Sequence, residues 1–173
     1  MSGNHSARRW GLLMITLAVL LLTPGWPTAG HAAESGDFSG TWIANGERQK
    51  FPFNEDRKIY TFTLSGHVNL ETSLGKQKDY WSDCVGLADS ETGVVARCVW
   101  KDLAGPKVYI TLQSEKLQQD NPFSGTIVGG TDHLKGITGE LSFLWSSLSF
   151  QDEEGKSSVT GQTLDLHGSY QVP

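Results

Sequence analysis

The chain has 173 residues, with 14 basic against 19 acidic side chains, a formal charge of −5 and two cysteines. Lys and Arg are scattered singly among acids, Gln and Ser, which leaves no basic footprint, so neither nucleic acid nor an anionic membrane surface is an expected partner. No Pro/Gly/Ser-rich linker divides the interior, and the length supports one core rather than two.

The N-terminus is patterned as a secretory signal peptide. Residues 1–10 carry Arg8 and Arg9 without an acid, and residues 11–22 form an apolar run of twelve, too short to span a bilayer. Pro24, Gly25 and Pro27 follow, then small residues around His31 that suit cleavage after Ala32 or Ala33. An uncleaved anchor is the alternative, disfavoured by the short core. Gly11 stands where a twin-arginine signal wants a bulky apolar residue, so the general secretory route is expected. No cysteine follows the cleavage region to carry a lipid. The expected organisation is a leader over residues 1–33 and one domain over 34–173, periplasmic or secreted, with no membrane span after cleavage. Losing Arg8 and Arg9 leaves 12 basic against 19 acidic residues, a formal charge of −7.

Beyond the leader the apolar residues recur at period two, with turn residues every eight to fifteen positions and no convincing helix. Residues 40–44 predict a first strand. Tyr60, Phe62, Leu64, Val68 and Leu70 alternate with polar residues over a long second strand, with a bend expected at Gly66. Residues 80–87 and 94–100 flank the turn cluster Asp89, Ser90, Glu91, Thr92 and Gly93. Val108, Ile110 and Leu112 mark a fifth strand, and residues 123–128, 137–150 and 159–170 complete the set. Eight strands with short connections predict an all-β fold, a single closed antiparallel eight-stranded barrel; a flattened sandwich is the alternative.

Cys84 and Cys98 fall on the two arms of one predicted hairpin, so in an oxidising compartment a structural disulfide across it is expected. Closing that loop contributes roughly 3 kcal/mol in the chain-entropy treatment. A redox or metal pair would need C-x-x-C spacing or nearby histidines. If the two cysteines are opposed, Ser82 faces Trp100 and Gly86 faces Ala96 on the same side. The other side carries Arg97, Lys101 and Asp83, so the disulfide and Trp100 should point inward. Trp81 then falls outside, over a lysine stem or in a subunit contact.

Residues 129–139, G-G-T-D-H-L-K-G-I-T-G after the strand F-S-G-T-I-V, resemble the glycine hairpin between two long strands in the allene oxide cyclase and dirigent barrel class. Residues 98–111, C-V-W-K-D-L-A-G-P-K-V-Y-I-T, resemble the strand, D-x-x-G turn and strand that precede that hairpin in small secreted bacterial members. Gly40-Thr41-Trp42 is similar to the G-x-W of lipocalins and avidins, a neighbouring calycin-like barrel class. Asp132 stands where the family has its second turn glycine, a position that Asp tolerates in left-handed backbone. The resemblance implies the barrel; the pocket residues by which plant members direct cyclisation or coupling have no matching motif here.

No constellation of side chains marks catalysis. His67, His133 and His167 lie on separate segments without joint-ligand spacing, so no metal and no cofactor are expected. Asp152, Glu153 and Glu154 form an acidic loop tip, and no G-x-S-x-G elbow is present. Asp102, Glu140 and Asp165 are the acids on strands or strand ends. The aromatic content is the remaining signal: Trp42, Tyr60, Phe62, Trp100, Phe143 and Trp145 are the candidate lining of a pocket, against the alternative that they merely fill the barrel. The expected function is non-enzymatic binding of a small hydrophobic molecule or a protein partner. The alternatives are a cyclase or isomerase, which a buried acid or tyrosine deep in a sizeable pocket would favour, and a structural module assembling with further copies of the chain.

Overall fold

A computed structural model describes residues 33–118, 120–151 and 156–173. The leader expected over residues 1–33 lies outside the described residues but for Ala33, as does the acidic tip at Asp152, Glu153 and Glu154.

Eight strands follow in chain order: β1 (Glu34–Phe51), β2 (Ile59–Thr72), β3 (Gln77–Asp89), β4 (Gly93–Asp102), β5 (Lys107–Ser114), β6 (Asn121–Gly130), β7 (Thr138–Gln151) and β8 (Lys156–Val172). Each pairs antiparallel with the next, and β1 also pairs with β8, which closes the barrel and removes every sheet edge. Register shifts in the β1–β8, β5–β6 and β7–β8 pairs supply the irregularity that accompanies closure. The chain passes through Gly66 without a break in pairing. β1 is much longer than the segment 40–44, because pairing with β2 continues to Phe51 although the apolar alternation stops.

The disulfide hairpin has the expected register: Cys84 opposes Cys98, Ser82 opposes Trp100 and Gly86 opposes Ala96. The cysteines are bonded, with Cα atoms 4.1 Å apart. Ser82 and Trp100 are buried, whereas Asp83, Arg97 and Lys101 are exposed. The D-x-x-G turn closes as the Ala104 N–H donates to Asp102 Oδ1 at 2.7 Å and the Gly105 N–H to the Asp102 carbonyl at 2.9 Å. In the glycine hairpin Asp132 does adopt left-handed backbone, with φ of 55°, at the start of a short 3-10 helix (Asp132–Leu134).

Inward residues fall into layers along the axis. Val68 on β2, Ser82 on β3, Ile110 on β5 and Leu166 on β8 are at most 1 % exposed and form a solid central layer. Connections alternate between the two ends of a meander, so the β1–β2 and β3–β4 turns share one end, while both Glu34 and Val172, paired with each other, lie at the opposite end. At the first end Arg57, in the β1–β2 connection, reaches Asp89 at the tip of β3, its Nε donating to Oδ1 at 2.9 Å and to Oδ2 at 3.0 Å. Arg57 also meets Glu91 at 3.0 Å. Its guanidinium, together with the Glu91 N–H, holds the Asp89 carboxyl well below the usual carboxylate range. Asp89 is thus a buried clasp between two turns rather than a simple turn residue.

Candidate functional site

Each end of the barrel is a cup over the solid central layer. The first has a cavity volume of about 110 Å3. Its walls hold five of the six aromatic residues singled out from sequence: Trp42 on β1, Tyr60 and Phe62 on β2, and Phe143 and Trp145 on β7. Phe123 on β6 joins them, stacked on Phe143 with ring centroids 5.2 Å apart. Trp42 meets Phe143 edge-on at 5.9 Å and Trp145 at 4.9 Å. Such pairs contribute roughly 0.5–1.5 kcal/mol each beyond their burial. Two glycines seat the rings: a Cβ on Gly86 would stand 2.3 Å from the Phe62 ring, and one on Gly161 would stand 2.5 Å from the Trp145 ring. Small residues opposite large ones are what leaves these aromatics room to stand inward.

The sixth residue, Trp100, is inward but lines the other cup. β4 runs toward the end where β3 begins, which carries Trp100 beside Tyr80 and away from Tyr60 and Phe62. The aromatic set therefore does not form one pocket.

Polar groups in the aromatic cup are few. Arg48 lies over the Tyr60 ring at 4.6 Å. Trp42 is 2 % exposed and Asn121 is 3 % exposed. Trp42 Nε1 and Asn121 Oδ1 are both buried with no hydrogen-bond partner among the described residues. Buried polar atoms are nearly always paired, so a donor and an acceptor left over in one apolar cup are an exception to that rule. Arg48 and Asn121 carried no signal in the sequence: both sit at inward positions of strand ends, where alternation reads them as breaks in the pattern. Among the described residues, the ionisable side chains lining this cup are Arg48 and Tyr60.

The second cup, of about 120 Å3, is walled by apolar side chains around Trp100 and Tyr80. Its mouth is polar. The Tyr170 hydroxyl donates to Glu34 Oε1 at 3.1 Å, and Lys76 Nζ reaches the same oxygen at 3.5 Å. Burial pushes the Tyr170 hydroxyl up from its ordinary range, so that it holds its proton more firmly, and the bond to Glu34 adds to this.

The remaining candidates lie apart. His67 and Trp81 meet edge-on outside the barrel at 4.9 Å, Lys101 is the cross-strand partner of Trp81, and the Trp81 Nε1 donates to Asp83 at 3.1 Å. Tyr109 also faces outward. His133 lies at the second mouth. Among the described residues no three His, Cys, Asp or Glu side chains come together as a metal site. Glu140 is exposed, and Asp102 lines the second cup.

Ser142, His167 and Asp165 do come together, on the outer surface. His167 Nδ1–H donates to the Asp165 carbonyl at 2.9 Å, which in the neutral ring leaves Nε2 to accept from Ser142 Oγ at 3.0 Å. Asp165 Oδ1 is 3.5 Å from Nδ1, and both side chains are more than half exposed. Ser142 and His167 are direct cross-strand partners beside the β7–β8 register shift, and Asp165 has a φ of 57°. The arrangement pins an irregular strand pair and lies in water, without the dry surroundings that make such a pair a strong nucleophile.

Compared with known protein families, with curated proteins and with solved structures, the chain has no significant match. Among the described residues no helix is long and apolar enough to cross a membrane.

Proposed function

We propose that this chain is a small-molecule binding module, acting in the periplasm or outside the cell, that holds one flat, largely apolar molecule in its aromatic cup without chemistry. The observation that carries this reading is the pair of buried, unpartnered polar atoms, Trp42 Nε1 and Asn121 Oδ1, in a cup otherwise walled by aromatic rings. A molecule with a hydroxyl on an aromatic ring complements both: its oxygen accepts from the indole N–H, and its proton is donated to the asparagine oxygen. The volume is somewhat below the ~150 Å3 of an apolar cavity that takes up benzene, so the cup encloses at most one ring and the rest of the ligand stands in the mouth.

A cyclase or isomerase is the alternative; Tyr60 is the one tyrosine in this cup and no carboxylate joins it among the described residues, which favours binding over catalysis. The disulfide is compatible with an oxidising compartment. Membership of the allene oxide cyclase and dirigent class belongs to the same proposal and rests on residues 129–139 and 98–111, since an eight-stranded barrel is shared by many families.

The test is calorimetric titration of the purified protein with 2-naphthol and with naphthalene. Binding of 2-naphthol, weakened about tenfold or more by Trp145→Ala, is the expected result. Equal affinity for naphthalene would contradict the role given to Trp42 and Asn121.

A further inference from the structure

The second cup is sealed from the first by Val68, Ser82, Ile110 and Leu166, which line neither. What it presents is different. Trp100 is 2 % exposed, and its Nε1–H is buried with no acceptor among the described residues. Tyr80, two positions away in register on the same face, stands with its ring 6.1 Å from that of Trp100, and its hydroxyl has no hydrogen-bond partner among the described residues. Burial pushes the Tyr80 hydroxyl up to about 12, reinforced by the Asp102 carboxylate, so it keeps its proton and remains a donor. The acids at the mouth are already engaged: Glu34 accepts from Tyr170 and Lys76, and Asp102 from the Ala104 N–H. Glu34 and Asp102 balance Lys76 and Lys78 at this mouth. Two donors without an acceptor, over apolar walls such as Phe38, Leu70 and Ile127, complement one type of group.

We propose that this end of the barrel is a second ligand site, which takes a small, flat, uncharged molecule whose carbonyl oxygen accepts from the Trp100 indole N–H and the Tyr80 hydroxyl. The site stands whether or not the aromatic cup is filled, because the central layer separates the two. Its preference is also the opposite of the first cup's: an acceptor alone is recognised here, whereas a paired donor and acceptor are recognised there.

The experiment is a nitrogen-15 NMR titration of the full chain with 1-indanone, and with indane as the same ring system without the oxygen. The Trp100 indole resonance, assigned by its loss in Trp100→Phe, should move with 1-indanone and stay with indane. Trp100→Phe and Tyr80→Phe should each weaken 1-indanone by about tenfold, the scale of one hydrogen bond. Tyr80→Phe keeps the ring and so decides the matter if Trp100→Phe does not fold. Equal binding of the two compounds, perturbation confined to the Trp42 and Trp145 indoles, or unchanged affinity in Tyr80→Phe would each overturn the proposal.

Discussion

The two ends of this barrel are built from the same strands and differ in what their last inward positions carry. At one end those positions are aromatic rings, with Arg48 and Asn121 as the polar additions. At the other they are Tyr80 and Trp100 under a mouth tied together by Glu34, Lys76 and Tyr170. Alternation thus decides which face a residue takes, while depth along the axis decides which cup or layer it joins. Val68, Ser82, Ile110 and Leu166 are needed mainly to fill; residues two or more positions further along each strand can serve a ligand.

The contrast can be broken most forcefully at Trp42, which belongs to the aromatic cup and to the packed core together. Trp42→Ala should cost about 3–5 kcal/mol in urea unfolding and abolish 2-naphthol binding, while leaving the 1-indanone response of the surviving folded protein intact. The disulfide comes next. Cys84 lines the aromatic cup and pairs across the hairpin with Cys98, 14 positions on, so replacing both by Ala should cost roughly 3 kcal/mol. That loss should appear as a lower urea midpoint with either probe bound.

Acid separates the ends more gently. A carboxylate held low, as Asp89 is by Arg57, stabilises the fold above its unfolded pKa of about 4, and that contribution disappears as pH falls through the folded value. Stability measured by thermal unfolding should therefore drop below pH ~4, and Asp89→Asn should be less stable at pH 7 but flatter toward acid. The aromatic cup, whose turns Asp89 ties together, should lose its ligand before the far cup does. The smallest effect is expected on the outer face. Ser142→Ala removes one exposed hydrogen bond to His167, should cost about 0.5–1 kcal/mol, and should change neither binding reaction.

Much of this was legible in the sequence. Period-two alternation located β2, and opposing Cys84 to Cys98 set both the register of the hairpin and the inward face of Ser82 and Trp100. Asp132 was recognisable as a residue able to take left-handed backbone, and it does. The extent of β1 was not legible, because its rim positions Gly46 and Arg48 carry no apolar signal, yet cross-strand pairing holds them in the sheet. The site was half legible. Six aromatics were singled out as candidate lining, but their division between two cups depends on strand direction: in a meander, Trp100 at the end of β4 cannot share a cup with Phe62 at the start of β2. Asn121 and the Arg57–Asp89 clasp had no local signature, since a buried asparagine at a strand start and a partner 32 residues distant leave no periodic trace.

Whether the aromatic cup exists to hold a molecule is decided by mass spectrometry of the protein recovered gently from the envelope of its own host, under native and then denaturing conditions. The native spectrum should carry extra mass that is lost on denaturation and that Trp145→Ala does not carry. A bare mass, under conditions in which added 2-naphthol is retained, would contradict it.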